Sequence, residues 1–145
     1  MSDEEVRELL ATERVVSVAT MGRNARPHLV PLFYVSDGLD VLVWTYGSSQ
    51  KVRNLERDPR ATIMVEAGEK YDELRGVMLE CDVEIERDRG VVLAYGLKLA
   101  GHYGNVSQEA RETIVRQAAK RVVLRFRPSR VVSWDHRKMA AARGS

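Results

Sequence analysis

Residues 14–46 read RVVSVATMGRNARPHLVPLFYVSDGLDVLVWTY, and the punctuation of this stretch decides the fold. "RVVSVAT", Arg14 to Thr20, is rich in β-branched residues and predicts a strand. In "MGRNARP", Gly22 and Asn24 suit positive φ and so a turn. "HLVPLFYV" predicts a second strand. Pro31 removes one ladder donor from it, which implies an edge, a bulge or backbone turned toward a ligand. "SDG" marks a tight hairpin. Leu39 to Tyr46 predicts a third strand, apolar enough to be buried on both faces.

The flanks extend this hairpin pattern. Ser2 with Glu5 forms a capping box for a helix over Asp3 to Ala11. After Gly47, Ser48 and Ser49 the spacing of Val52 and Leu55 predicts a helix to Arg57, stopped by Pro59. Lys51, Arg53 and Arg57 fall mostly on its other faces. "RATIMVEA" and Leu74 to Glu86 predict strands joined through "EKYDE". A helical segment, about 87–119, follows: a helix over Arg87 to Leu99 with Val91, Val92 and Tyr95 inward, a loop "AGHYGN", and a second helix capped by Ser107. "RVVLRFRP" and "RVVSW" predict two last strands, and 135–145 a polar tail that is frayed or laid on a partner. The fold class is therefore α+β, mainly β: a small antiparallel barrel of six to seven strands with peripheral helices, in one domain over 1–145. Strands and helices do not alternate, which disfavours a parallel sheet.

Composition narrows the function. The net charge of +2, from 23 basic and 21 acidic side chains, makes no global case for nucleic acid or membrane surfaces. No apolar run approaches the ~18 residues of a membrane span. The acidic, amphipathic start is unlike a signal peptide. One cysteine, Cys81, excludes an internal disulfide framework and suggests a reducing, cytoplasmic setting. There is no Walker loop, no Gly-x-Gly-x-x-Gly and no Gly-x-Ser-x-Gly elbow. His28, His102 and His136 lack Cys or His partners at metal spacing, so no metal site is expected. A chain without an evident acid, base or nucleophile borrows its chemistry from a cofactor.

The segment "GSSQKVRN" offers such a cofactor a hold. A helix N-terminus presents unpaired N–H groups and partial positive charge. Ser48 and Ser49 add hydroxyls, Lys51 a cation in the first turn, and Arg53 a second within reach; together they suit a phosphate. Ordinary capping with a solvated charged face accounts for the same residues, and residue chemistry leaves both readings open.

The ordered set from "SVAT" through the Arg-Pro hairpin and the Asp-Gly turn to Ser49, Lys51, Arg53, Asn54, Leu55, Asp58, Pro59 and Arg60 resembles the pyridoxamine 5′-phosphate oxidase-like split β-barrel superfamily. The resemblance spans nearly the whole chain. It implies a split barrel of the type that binds flavin mononucleotide (FMN), and homodimers with flavin-type cofactors in clefts at the interface. It implies coenzyme F-420 as cofactor, with FMN as the alternative, in an oxidoreductase passing a hydride to an electron-poor small molecule. A non-catalytic flavin or haem storage protein is the other reading, with His28, His102 or His136 as axial ligand. By the same resemblance Ser49 and Lys51 hold the cofactor phosphate, and Val30, Pro31 and Leu32 lie along the ring system. Thr45 and Tyr46 flank the ribityl chain, and Trp134 comes from the other subunit. Tyr46, His102 and Tyr103 are candidate proton donors, and Lys98, His102 and Tyr103 candidate pocket residues.

Overall fold

In the computed structural model, residues 1–104 and 107–143 of the 145 are described. Seven strands form one sheet and five α-helices surround it: α1 (Asp3–Thr12), β1 (Val15–Met21), β2 (Pro27–Phe33), β3 (Val35–Asp37), β4 (Asp40–Tyr46), α2 (Gln50–Arg57), β5 (Arg60–Ala67), β6 (Arg75–Glu86), α3 (Arg89–His102), α4 (Gln108–Ala118), β7 (Arg121–Asp135) and α5 (His136–Arg143). Every strand pair is antiparallel, in the order β2-β1-β5-β6-β7-β4-β3.

That order explains the curl. The two edge strands, β2 and β3, are separated in sequence by Tyr34 alone, so the sheet must bend until its edges nearly meet. Tyr34 pins the crossing. It is 1% exposed, its hydroxyl donates to Leu10 O at 2.7 Å, and its N–H reaches Arg14 O at 3.2 Å. The predicted second strand is thus two strands, and Pro31 sits on an edge, where proline costs no interior ladder bond. Gly38, at φ 62°, makes the two-residue turn in which Asp37 faces Asp40.

Inside the curl, Val16, Val18, Val41, Val43, Ile63, Leu79, Leu124 and Phe126 form the core, closed below by Val6, Leu9 and Leu10 of α1. These side chains alternate along their strands, the period-2 signature of a sheet with one buried face. Outside, α3 and α4 cover only the β3–β4–β7 part, through Val35, Leu42, Val92, Ala118 and Val123. Among the described residues, the rest of the outer face carries the exposed Val15, Met21, Leu29 and Phe33.

Four expectations need correction. The two last strands are one, β7, in which Cys81 faces Pro128 and Glu80 faces Arg130. Ser129 is the extra residue, and this bulge is what admits Pro128. The tail is helical from His136, anchored by the bond from His136 N–H to Leu74 O at 2.8 Å and by Lys138 to Glu5 at 2.9 Å; Gly144 and Ser145 lie outside the described residues. α3 continues through the expected loop to His102, and Asn105 of that loop is outside the described residues. Its inward face is Val92, Gly96 and Leu99, spaced i, i+4, i+7, so Val91 is 37% exposed.

Candidate functional site

The β4–α2 junction carries the densest unspent chemistry. Gly47 N–H donates to Lys120 O at 2.9 Å and Ser49 N–H to Tyr46 O at 3.2 Å; these bonds turn the chain from β4 into α2. Ser49 is the N-cap residue, yet its hydroxyl caps nothing, and its Oγ is buried without a partner. At α1, α3 and α4 the caps are made: Ser2 accepts from Glu5 N, Asp88 from Val91 N and Ser107 from Ala110 N. A cap oxygen normally consumes a first-turn N–H, so α2 keeps its N–H donors and its partial positive charge free.

Lys51 stands in that first turn and is 9% exposed. The spacing places Lys51 with Arg53 and Arg57 mostly off the packing face of Val52 and Leu55, yet α2 buries Lys51, Val52, Asn54 and Leu55 together. Among the described residues no carboxylate comes within 4.0 Å of its ammonium. Burial, and then the nearby Arg121, push its pKa below the ordinary lysine value. Arg121 faces Tyr46 across the β4–β7 ladder. Its guanidinium lies 3.7 Å from the Tyr46 ring centre and 4.8 Å from that of Trp44, and its Nε is buried without a partner. Two adjacent cations, Lys51 buried and Arg121 partly buried, without an anion are unfavourable, and the arrangement invites an anionic ligand.

α2 is fixed to the barrel by polar side chains. Asn54, fully buried, donates to Thr20 Oγ1 at 3.1 Å and accepts from Gln50 and Arg57 at 2.8 and 2.5 Å. Thr20 faces His28 of β2, and His28 Nδ1 is another buried atom without a partner. Val30 and Leu32 share the inward face with His28, opposite the core residues Val18 and Val16, whereas Pro31 points outward. Thr45 is buried and Tyr46 is 45% exposed. Ser48 and Arg53 are exposed; Arg53 borders an open cleft of about 530 Å³ with Arg23, Gln50, Glu56 and Arg57.

Other candidates fall elsewhere. Tyr103 Oη lies 2.7 Å from both Arg14 O and Tyr34 O, so it is occupied in clamping the β2–β3 crossing, and burial raises its pKa. His102 is exposed beside the Tyr103 ring, and Lys98 reaches over Tyr95. His136 Nδ1 lies 2.8 Å from Tyr71 O, distant in the fold from α2. Burial pushes the Cys81 thiol up to about 12. Trp134 faces Gly76, whose missing Cβ makes room for its ring. It lies 13 residues after Arg121 on the same strand, roughly 43 Å of extended chain. Among the described residues there is no cluster of three metal-ligating side chains and no helix long and apolar enough to cross a membrane.

Sequence reasoning missed Arg121 and the burial of Lys51. Arg121 opens a strand 70 residues after Lys51, and only the β4–β7 register brings the two together.

A curled antiparallel half-barrel with a cationic strand–helix junction at its edge is a split β-barrel of α+β class. The sequence pattern described as pyridoxamine 5′-phosphate oxidase matches residues 2–135, and the chain belongs to that family. A comparison with curated proteins finds no match. Among solved structures, the conserved hypothetical protein Rv2991 from Mycobacterium tuberculosis is 33% identical, with a TM-score of 0.88 over 97% of this chain and 88% of that one. An F420 reductase is 23% identical, TM-score 0.72, over 87% and 94%. The haem storage protein HutZ from Vibrio cholerae is 18% identical, TM-score 0.70, over 89% and 92%. The last two share this fold equally well, so fold alone does not choose the cofactor.

Proposed function

We propose that this chain is an oxidoreductase that binds coenzyme F-420, with FMN as the alternative on the same site. The carrying observation is the buried, unpaired Lys51 beside Arg121 and the uncapped Ser49, because a phosphate would satisfy all three together with the free N–H groups of α2. The fold is compatible with that cofactor, since an F420 reductase shares it, and the choice rests on a second cationic feature. Arg23, Arg53 and Arg57 around their open cleft suit the acidic tail of F-420; FMN has no such tail.

When bound, reduced F-420 supplies a hydride to an electron-poor, unsaturated small molecule. The protein's part is to place and enclose. Ser49, Lys51 and Arg121 anchor the phosphate, with Ser48 at the turn. Thr45 and Tyr46 flank the ribityl chain. Val30, Pro31 and Leu32 lie on an edge strand whose outer backbone groups are unpaired, and they take the ring system. With the Tyr103 hydroxyl spent on backbone carbonyls, the proton comes from solvent, Tyr46 or His102.

The second subunit packs on the bare outer face. Val15, Met21, Leu29 and Phe33 are 46%, 41%, 68% and 61% exposed there, and the cross-strand pairs join them to Met64, Met78 and Val132. Trp134 lies on this face. It is far along β7 from its own Arg121, so it reaches the site of a partner. The single buried thiol fits a reducing cytoplasm.

Titration of the purified protein with F-420, FMN and haemin, followed by tryptophan fluorescence, tests this. F-420 should bind well below ~100 µM. FMN binding alone transfers the reading to FMN. No binding of either below ~100 µM, with a Soret band on adding haemin, overturns it in favour of haem storage.

A further inference from the structure

A second cavity, of about 430 Å³, opens on the outer face of the sheet, the face to which Pro31 and Tyr46 of the proposed ring and ribityl positions point. Its walls are Phe33, on the same face of β2 as Pro31, and Trp44, which shares the Arg121 guanidinium with Tyr46, closed by Leu99, Tyr103 and Ile114 from the α3–α4 pair. The walls are held in place. Trp44 Nε1 donates to Val92 O at 2.8 Å. A Cβ on Gly96 would fall 2.7 Å from the Trp44 ring, so only glycine lets α3 seat there. The Phe33 and Tyr103 ring centres are 5.1 Å apart. The volume is within the usual range for small-molecule sites.

Among the described residues Arg14 is the one charged residue lining this cavity. Its guanidinium lies 5.8 Å from the Tyr103 ring centre, and among the described residues no carboxylate comes within 4.0 Å of it. One planar cation at the rim of an aromatic-walled cavity matches one carboxylate, held by two parallel hydrogen bonds. A dianion would leave charge unpaired among apolar walls.

We propose that this cavity is the substrate pocket and that its ligand is a flat aromatic carboxylate, with its ring among Phe33, Trp44 and Tyr103 and its carboxylate on Arg14. Its role as a substrate pocket rests on the cofactor reading above, because the cavity opens on the face to which Pro31 and Tyr46 point; the ligand class rests on the cavity itself.

Calorimetric titration of the full-length, cofactor-free protein with 2-naphthoate and with 2-naphthalenemethanol is the test. The carboxylate should bind saturably below about 1 mM, and about tenfold more tightly than the alcohol. Arg14→Gln, at an exposed side chain, should erase that preference. Ala100→Trp, which fills the cavity, should abolish binding of both, and Lys51→Ala should change neither. Absence of saturable naphthoate binding, or an unchanged preference in Arg14→Gln, overturns the proposal. Cofactor binding without naphthoate binding overturns this proposal alone. Naphthoate binding without F-420 or FMN binding overturns the cofactor reading and the pocket's role as a substrate site, and leaves the ligand class standing.

Discussion

Lys51 is the residue on which the account turns, because its environment opposes its charge. Burial and Arg121 lower its pKa in the folded chain, so between that value and the ordinary lysine value the unfolded chain binds more protons. The stability of the cofactor-free protein therefore rises with pH through that window. Lys51→Met keeps the apolar stem and removes the charge. It should raise the melting temperature of the cofactor-free protein at pH 7 by about 2–4 °C, for a gain near 1 kcal/mol, and flatten the alkaline rise. A melting temperature that falls would mean that an unrecognised partner already neutralises Lys51. The residue type and its place in the first turn of α2 were legible in the sequence. Its burial was not, because burial depends on Asn54 reaching Thr20 of β1, and side-chain contacts between distant strands leave no local pattern.

At the scale of elements, legibility followed the strength of local signals. β-branched runs bounded by Gly and Asp gave β1, β4 and β5 within a residue or two of their observed ends, and the capping box at Ser2 gave α1. Continuous β7 was hidden by Pro128, which reads as a terminator unless the bulge beside it is known. α5 lacked an apolar stripe, and its anchor is an ion pair to the far end of the chain. That pair carries a prediction. The Ser2 N–H and then Lys138 pull the Glu5 carboxyl down to about 2. A depressed carboxylate adds stability that is complete above its unfolded value and is lost as pH falls from about 4.5 toward 2. Denaturant unfolding of Glu5→Gln should show a shallower loss of stability across that interval than wild type. Parallel curves would mean that the bond does not persist in solution.

At the scale of the molecule, the sheet order leaves α3 and α4 on one side and a bare apolar face on the other. That face holds exposed Leu29 and Phe33, and a contiguous apolar surface of this kind marks an interaction site. The barrel was foreseeable from hairpin spacing, whereas the bare face needed the register of β1, β2 and β5. Wild type should sediment as a dimer, and Leu29→Arg with Met21→Glu should give a folded monomer that has lost cofactor affinity, because the proposed site takes Trp134 from the partner subunit. A wild-type monomer would remove the interface cleft. The anion site is the centre of the account, and it is tested most directly by comparing the affinity of wild type and Lys51→Ala for F-420 and FMN at pH 7. Lys51→Ala should bind whichever cofactor binds about 1.5–3 kcal/mol more weakly, the scale of a hydrogen bond to a charged group. Equal affinities in the two proteins would contradict the account.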